Sequence, residues 1–363
     1  MTTAPRGRLT GRFLKALAVA KGNFAGAAAY ASAQRWIESE TIAATCKAAV
    51  GAMGQTDQPE LFRAIAQDLA AVVAPLSIVG RLSGFRRIPP MTALVTQVGG
   101  AVGYWGDQFQ SDGAGAPVSA LAFSRFAGLA ARRVTALAVV ANELARSGTP
   151  DTDVTIATDL GRALGVALDT AFLNPLSSGS PSTSPASVTS TGRIFASTGA
   201  SVTAIDDDLE MLVRAVHDGG SDLANATWVM NTLTAVRLAK LRSSGALAYP
   251  NVTARGGVLM GLPVLTSANI ARFGSPSPGT TYLSLVDPSR IWLTSGDDAE
   301  FSASEQALIE QLDAPTQDAS SGTAANQVSM FQTESVALKA VRRVGWQPTA
   351  GTSHAATLIN VEY

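Results

Sequence analysis

Two extended stretches separated by one turn decide the fold of this chain. Residues 91–105 read MTALVTQVGGAVGYW, and residues 118–140 read VSALAFSRFAGLAARRVTALAVV. Both stretches alternate in part between two sets of side chains, which is typical of strands. Residues 111–117, which read SDGAGAP, combine residue types that favour turns. The pattern predicts one long β-hairpin, called the ribbon below.

The ribbon needs a surface to lie on. A two-stranded ribbon is marginally stable in water, and its open edges invite aggregation. This ribbon also carries five aromatic side chains, which are Tyr104, Trp105, Phe109, Phe123 and Phe126. We therefore expect these residues to make contacts outside their own ribbon, and a neighbouring subunit is the natural candidate.

Helical patterns lie on both sides of the ribbon. Residues 8–75 are rich in alanine and place apolar side chains at helical spacing until Pro75. After the ribbon, residues 150–153 (PDTD) supply a helix start and Asn174-Pro175 supplies the stop. The predicted helix has about 22 residues and a length of roughly 33 Å. Residues 176–190 are mostly Ser, Thr, Pro and Gly and predict a surface loop.

The second half of the chain mixes helices and strands. Three acids at 206–208 open a predicted helix that Gly219-Gly220 closes, and Asn231 or Thr232 caps a second helix. The expected strands are residues 228–230, 258–266, 282–293, 335–346 and 357–363. This order of elements predicts an α+β fold.

The composition argues against catalysis. Hydrophobic residues make up 46% and charged residues 15% of the 363 residues, so the chain is expected to bury a core. The single cysteine, Cys46, excludes a disulfide framework and a cysteine-rich zinc site, and it is typical of a reduced cytoplasm. The only histidines are His217 and His354, and no P-loop, GxSxG, HExxH or CxxC motif is present. We therefore predict no enzyme activity, no cofactor and no metal site.

Four features that suggest sites have structural interpretations. The glycines of residues 99–106 lack the dinucleotide fingerprint and predict a bend in the ribbon. Asp206 to Asp208 are interpreted as acids at a helix start, and His217 as a contact of the last helix carbonyls. Cys46 is interpreted as buried packing.

Charge is spread without one basic face. The formal net charge is −1, so no global basic field is available to hold nucleic acid. No acid precedes Glu38, and the candidates for contact with DNA or a partner are Arg6, Arg8, Arg12 and Lys15. The arginine doublets at 86–87, 132–133 and 342–343 are interpreted as similar contacts or as solvated, ion-paired surface. No apolar run reaches the about 20 residues that a membrane span needs.

Several short stretches, in order, resemble one known family. They are YWGD at 104–107, PVS at 117–119 with Phe123, ANELARS at 141–147, LDTAFLN at 168–174, WVMN at 228–231, LMGLPV at 259–264, VDPSR at 286–290, FQTESVAL at 331–338 and RVGW at 343–346. Each stretch alone is weak, but together they resemble the major capsid proteins of tailed bacteriophages of the Hong Kong coliphage type. The resemblance runs from about Leu76 to Tyr363.

The resemblance implies a domain plan and a function. The implied parts are a helical N-terminal segment (1–75), an N-terminal arm (76–90), an extended loop with its flanks (91–145), a peripheral domain with a long spine helix (146–200), an axial domain (201–325) and a return segment that completes the peripheral domain (326–363). The implied protein forms pentamers and hexamers of an icosahedral shell around the double-stranded DNA of a tailed phage or prophage. It would assemble in the host bacterial cytoplasm with a portal, scaffold or protease, and the ribbon would lie across the adjacent subunit.

The chain departs from that family in two places. Some members join neighbours covalently through a lysine of the extended loop, but the lysines here are Lys15, Lys21, Lys47, Lys240 and Lys339. We therefore predict no lysine–asparagine cross-link. Many members also carry a long, charged scaffolding segment that a protease removes. The segment here is short and rich in alanine, which leaves a retained arm, a reduced scaffold and a cleaved piece as alternatives.

Two other hypotheses remain open at this point. An encapsulin is a cellular compartment on the same fold that encloses a cargo enzyme instead of DNA. A soluble hydrolase would need a nucleophile–base pair. Purified native particles distinguish the first from a phage capsid, and loss of turnover in His217→Ala would support the second.

Overall fold

A computed structural model describes most of the chain. The described residues are 6–34, 36–50, 59–88, 94–98, 122–126, 129, 131–146, 150–179, 184–273, 280–310, 327–349 and 354–363. The helices are α1 (Arg8–Val19), α2 (Phe24–Ala33), α3 (Ser39–Val50), α4 (Pro59–Leu76), α5 (Ile78–Arg81), α6 (Asn142–Arg146), α7 (Pro150–Leu173), α8 (Val188–Thr191), α9 (Val202–Asp218) and α10 (Thr232–Lys240). The strands are β1 (Arg86–Arg87), β2 (Leu94–Val98), β3 (Ala122–Phe126), β4 (Arg132–Ala141), β5 (Arg193–Ala196), β6 (Thr227–Asn231), β7 (Arg242–Ser243), β8 (Ala246–Leu247), β9 (Val252–Thr253), β10 (Gly256–Leu259), β11 (Leu262–Ser267), β12 (Arg272–Phe273), β13 (Thr280–Val286), β14 (Ile291–Ser304), β15 (Leu308–Glu310), β16 (Gln327–Ser329), β17 (Ser335–Pro348) and β18 (Ala355–Val361).

The described part of the ribbon is an antiparallel pair, as predicted. Strand β2 pairs with β3, with Leu94 opposite Phe126 and Val98 opposite Ala122. The stretch 118–140 is not one strand, because β3 and β4 are separate strands in separate sheets. The ribbon is therefore limited to β2, β3 and the residues between them, and β4 belongs to the four-stranded sheet. The predicted turn at 111–117 lies outside the described residues.

A four-stranded sheet and the spine helix form one half of the molecule. The strand order is β1-β14-β17-β4, so β17 is paired along both edges. Its Ala340 lies opposite Phe301 of β14 and Ala136 of β4. Helix α7 packs near this sheet and has 24 residues, hence a length of about 36 Å. It begins at Pro150 and ends before Asn174-Pro175, as the sequence predicts.

An eight-stranded sheet forms the other half. Its order is β5-β18-β13-β6-β11-β10-β9, and β12 pairs with β13. Strand β6 is buried along its whole length, and its alternating side chains enter two different cores. Trp228 and Met230 pack in a core with α9 and α10, whereas Val229 belongs to the core around the spine helix. The larger sheet is thus covered on both faces.

The predicted strand 282–293 is wrong, because it is two strands in two sheets. Strand β13 belongs to the larger sheet and β14 to the smaller one, and a short 3₁₀ turn at Pro288–Arg290 separates them. Asp287 accepts hydrogen bonds from the Ser289 N–H and hydroxyl at 3.0 and 2.7 Å. Pro288 has no N–H to continue a ladder, so the chain leaves one sheet here and enters the other.

Neither sheet is formed by one continuous part of the chain. Strands of the larger sheet lie between β4 and β14 of the smaller sheet, and β18 of the larger sheet follows β17. The predicted axial segment, 201–325, contributes β14 to the smaller sheet, and the predicted return segment, 326–363, contributes β18 to the larger one. The stretch 258–266 is a hairpin of β10 and β11, whose turn has positive φ at Met260 and Gly261. Sheet membership therefore follows burial and pairing, not a simple cut of the sequence.

Helix α9 begins at Val202, four residues before the three acids that were predicted to open it. Ser201 is its N-cap and accepts a hydrogen bond from the Ala204 N–H at 3.2 Å. Asp208 is buried one turn further on and accepts hydrogen bonds from the hydroxyls of Ser197 and Thr198 at 3.0 and 2.9 Å. Within the described residues, no three His, Cys, Asp or Glu side chains come together as a metal site requires.

Candidate assembly surface

Five ribbon residues are predicted to contact a neighbouring subunit, and two of them lie in the described structure. Phe123 is opposite Gln97 and Phe126 is opposite Leu94 in the ladder of β2 and β3. Tyr104, Trp105 and Phe109 lie outside the described residues.

A groove lies next to the point where the ribbon joins the body. It has a volume of about 660 Å³. Its walls are Ala131 to Thr135 at the start of β4, Ala167 and Ala171 of α7, Ser184 and Pro185, and Val344 and Trp346 of β17. Trp346 is a fixed wall, because its indole N–H donates to the Ala186 carbonyl at 2.8 Å and its ring packs edge-on against Phe172 at 5.2 Å.

Strand β4 exposes apolar side chains and one free edge. In the described part of the chain it pairs with β17 only, so its other edge offers unpaired backbone groups. Ala136 and Val140 face the core, whereas Leu137 is 57% and Val139 is 41% exposed. A ten-residue edge without proline, next to exposed aliphatic side chains, is a surface suited to protein contact.

Arginines surround this surface. Arg133 of β4 and Arg343 of β17 are opposite each other in the ladder, and both approach Glu300 of β14. Their guanidinium nitrogens lie 4.0 and 2.5 Å from the Glu300 carboxylate. These ion pairs agree with the ion-paired interpretation of Arg133 and Arg343. Because one carboxylate faces two guanidinium groups, this part of the surface keeps a net positive charge.

The basic N-terminus is mostly inside the molecule. Arg12 is buried, forms an ion pair with Glu38, and lies 3.6 Å from Asp153 of the spine helix. Lys15 is also buried, with its Nζ 3.3 Å from Asp153 Oδ1. Arg8 is partly buried, at 3.9 Å from Glu38, and Arg6 is exposed. The acids are distant in sequence, so no local pattern indicated these pairs; a contact with DNA or a partner stays a prediction.

The three residues considered for chemistry have structural surroundings. Burial raises the pKa of the Cys46 thiol to about 11, which keeps it protonated at neutral pH. The His217 ring contacts the Ser221 carbonyl at 3.2 Å, which lies beyond the helix end at Asp218, and not the last helix carbonyls that the sequence predicts. His354 is buried, with its Nε2 3.1 Å from both the Thr191 hydroxyl and the Val188 carbonyl. In the described part of the chain, no helix is long and apolar enough to cross a membrane.

A buried acid joins the spine helix to the rest of the subunit. Asp169 of α7 accepts hydrogen bonds from the Ile78 N–H at 2.7 Å and from the Asn269 side chain at 2.8 Å. Burial raises the pKa of the Asp169 carboxyl to about 6, although these hydrogen bonds lower it in part. Arg81 of α5 in turn donates to the Thr266 carbonyl at 2.7 Å. The short helix α5 is thus fixed to both halves of the molecule.

Comparison with known proteins identifies the family. The model of the phage capsid family matches residues 86–353, which include the ribbon, the spine helix and most of both sheets. The chain belongs to the phage capsid family. The matched region contains the paired ribbon strands β2 and β3 and the spine helix.

Individual relatives of this phage capsid protein are distant. The chain is 27% identical over 340 residues to a capsid polyprotein of Pseudomonas phage PAJU2, covering 91% of this chain and 49% of that protein. The chain thus spans about half the length of this curated relative. Its fold is similar to the capsid of a native GTA particle, with a TM-score of 0.51, 15% identity and coverage of 80% and 90%. A structure from Mycobacterium phage Ogopogo gives a TM-score of 0.51, 18% identity and coverage of 78% and 91%. These matches do not single out the Hong Kong coliphage type.

Proposed function

We propose that this chain is the major capsid protein of a tailed phage or prophage, which assembles into the icosahedral head shell around double-stranded DNA. The observation that carries the proposal is the match of the phage capsid family to residues 86–353. The shell consists of pentamers and hexamers of this subunit and forms in the bacterial cytoplasm. Portal, scaffold or protease act during assembly, and the DNA is enclosed without sequence-specific contacts.

The ribbon of one subunit contacts the groove and the β4 edge of its neighbour in this proposal. The aromatic residues Tyr104, Trp105, Phe109, Phe123 and Phe126 supply apolar contacts, and the exposed Leu137 and Val139 offer a matching surface. Charge supports the same arrangement. The acids between β2 and β3 are Asp107 and Asp112, whereas the groove presents Arg132 and Arg133.

A charge exchange tests this contact. We expect Asp107→Arg to reduce the yield of assembled shells strongly, and the double variant with Arg133→Asp to restore part of it. Glu210→Arg is the matched control, because Glu210 is exposed on α9 of the other half. If the double variant assembles no better than Asp107→Arg, the pairing is wrong.

DNA contact through the N-terminus rests on Arg6 and Arg8 in this proposal. The charges of Arg12 and Lys15 are buried against acids of their own chain, so they support the fold in this conformation, whereas Arg8 is only partly buried at 3.9 Å from Glu38. Titration of shells with short duplex DNA at increasing salt measures any contact. An Arg6→Ala effect that does not shrink with salt is inconsistent with a phosphate contact.

Subunits are held together without covalent links in this proposal, because none of the five lysines lies in the ribbon. Lys15 and Lys47 belong to N-terminal helices and Lys21 follows α1, while Lys240 ends α10 and Lys339 lies in β17. Mature particles should therefore dissociate to single subunits on a denaturing gel. Ladders of cross-linked subunits contradict this expectation.

Expression of the full chain tests the main proposal. We expect capsomers or closed shells in negative-stain electron microscopy. A dispersed monomer at high concentration, with and without a scaffold or protease, contradicts the proposal. Particles from the producing organism that hold double-stranded DNA support a phage capsid, whereas particles that hold a protein cargo favour an encapsulin.

A further inference from the structure

We propose that the N-terminal helices α1 to α4 (Arg8–Val19, Phe24–Ala33, Ser39–Val50 and Pro59–Leu76) are a permanent layer of the subunit that stays in the mature shell, not a scaffold that is removed. This inference rests on the proposed function, because it concerns what remains in the assembled particle. The family match begins at Arg86, so these helices precede the region that defines the family. Their burial, backbone spacing and charges support a permanent role.

Helix α1 is a core helix. Nine consecutive residues, Thr10 to Ala18, are buried, so the helix is covered on all sides. Phe13, Leu14 and Leu17 are fully buried, and the Phe13 ring packs edge-on against Phe301 of β14 with centroids 5.5 Å apart. Removal of α1 exposes this apolar surface of the smaller sheet and spine helix, which a stable subunit avoids.

Glycines allow α1 and the spine helix to approach closely. A Cβ atom added to Gly11 would lie 1.9 Å from the Asp153 carbonyl oxygen of α7. On another side of α7, a Cβ on Gly161 would lie 2.7 Å from Val72 Cγ1, and one on Gly165 would lie 3.3 Å from the Leu76 carbonyl oxygen. Two N-terminal helices, α1 and α4, therefore contact the spine helix at distances that side chains would prevent.

Polar contacts fix the start of α1 to α4. Asp68 of α4 accepts hydrogen bonds from the Gly7 N–H at 2.9 Å and from the Thr10 N–H and hydroxyl at 2.9 and 3.0 Å. Free N–H groups at a helix start require acceptors, and Asp68 supplies them from another helix. The ion pairs of Arg12 and Lys15 with Asp153 then join α1 to α7. These hydrogen bonds and ion pairs involve side chains of α1, α4 and α7, so they hold α1 against two other helices of the subunit.

Mass spectrometry of DNA-filled particles tests the inference. We expect peptides of residues 6–58 in the same amount as peptides of α7, whether the subunit is uncut or cut with the fragment still bound. Particles whose subunits lack residues 6–58 overturn the inference and leave the proposed function intact. Particles that do not contain this chain at all overturn the proposed function itself.

A substitution pair gives an independent test in the full chain. Replacing glycine with alanine inside a helix is normally stabilising, so a loss reports the close contact. We expect Gly11→Ala to lower the midpoint of thermal unfolding by about 5 °C or more and to reduce shell yield roughly tenfold. Gly26→Ala is the control, because its added Cβ would meet only side-chain atoms, the nearest being Ala20 Cβ at 3.2 Å. Equal midpoints and equal yields for the two variants contradict a permanent packed layer.

Discussion

Helix α1 buries charged side chains, whereas strand β4 exposes aliphatic side chains. Both placements are the reverse of the usual one. Helix α1 buries Arg12 and Lys15, which are 4% and 2% exposed, whereas β4 exposes the aliphatic Leu137 and Val139. The cations of α1 find acids in their own chain. The two aliphatic side chains of β4 stay exposed among the described residues of one subunit. The comparison separates what the single chain completes internally from what it leaves for a second copy.

The largest expected effect is the loss of the acid that pairs with α1. Asp153→Ala removes the acid that lies 3.3 Å from the buried Lys15 Nζ and leaves Arg12 with Glu38 and the Trp36 ring, so we expect the unfolding free energy to fall by about 3–5 kcal/mol. Urea denaturation of unassembled subunits measures it. Asp159→Ala, at an exposed site on the same helix, is the control and should change stability by less than about 0.5 kcal/mol. Equal losses in both variants mean that the buried pair has no special role.

A second buried acid of the spine helix predicts a dependence on pH. The folded-state pKa of Asp169, about 6, is above its ordinary value of 3.8, so the folded chain binds this proton more tightly than the unfolded one. Stability from this group is present below pH 4 and is lost as pH rises through 6. Relative to Asp169→Asn, we expect the native chain to lose about 2 kcal/mol between pH 4 and pH 7.

Urea denaturation at a series of pH values measures this difference. Asp169→Asn keeps an acceptor for the Ile78 N–H, so the variant is expected to fold. If the difference in unfolding free energy between the native chain and the variant stays constant with pH, the pKa of Asp169 is not raised in the folded chain. If the unfolding free energy of the native chain rises relative to that of Asp169→Asn as the pH increases, the change is opposite to the one expected.

The exposed half of the comparison predicts a defect in assembly. Leu137→Asp places a charge on the outer face of β4 and should reduce shell yield roughly tenfold, while the unfolding midpoint of the free subunit changes little. Leu176→Asp, at an exposed site just after α7, is the matched control. Normal shells from Leu137→Asp mean that β4 is not an assembly surface.

The smallest effect is expected for the exposed ion pair on the sheet. Glu300 and Arg343 are each about one-third exposed, so solvent screens their attraction. We expect Glu300→Ala to change the unfolding free energy by less than about 1 kcal/mol. If Glu300→Ala lowers the unfolding free energy as much as Asp153→Ala does, exposed and buried ion pairs contribute equally and the expectation is wrong.

The sequence predicted an element correctly where the residues that start and end it lie within that element or next to it. The spine helix has a start at Pro150 and a stop at Asn174-Pro175, and the structure places it at Pro150–Leu173. The strand at Trp228 was also expected, and the strand predicted at 335–346 is found at Ser335–Pro348, because β-rich runs bounded by turn residues need no distant information. Of the candidate site residues, Phe123 and Phe126 lie in β3, and Arg12 and Lys15 are buried beside Asp153, a position that no local pattern indicated. Tyr104, Trp105 and Phe109 lie outside the described residues.

By itself, the sequence determined the α+β class, the pairing of the two described ribbon strands, the spine helix and the absence of familiar catalytic motifs, because spacing and turn residues act within a few positions. The tertiary structure decided the rest. It placed α1 in the core, since Glu38 and Asp153 reach its cations only after folding. It divided residues 282–293 between two sheets at Pro288, and within the described residues it leaves Leu137 and Val139 of β4 exposed. Which surface a strand covers depends on partners far along the chain or on another chain, and periodicity does not encode those partners.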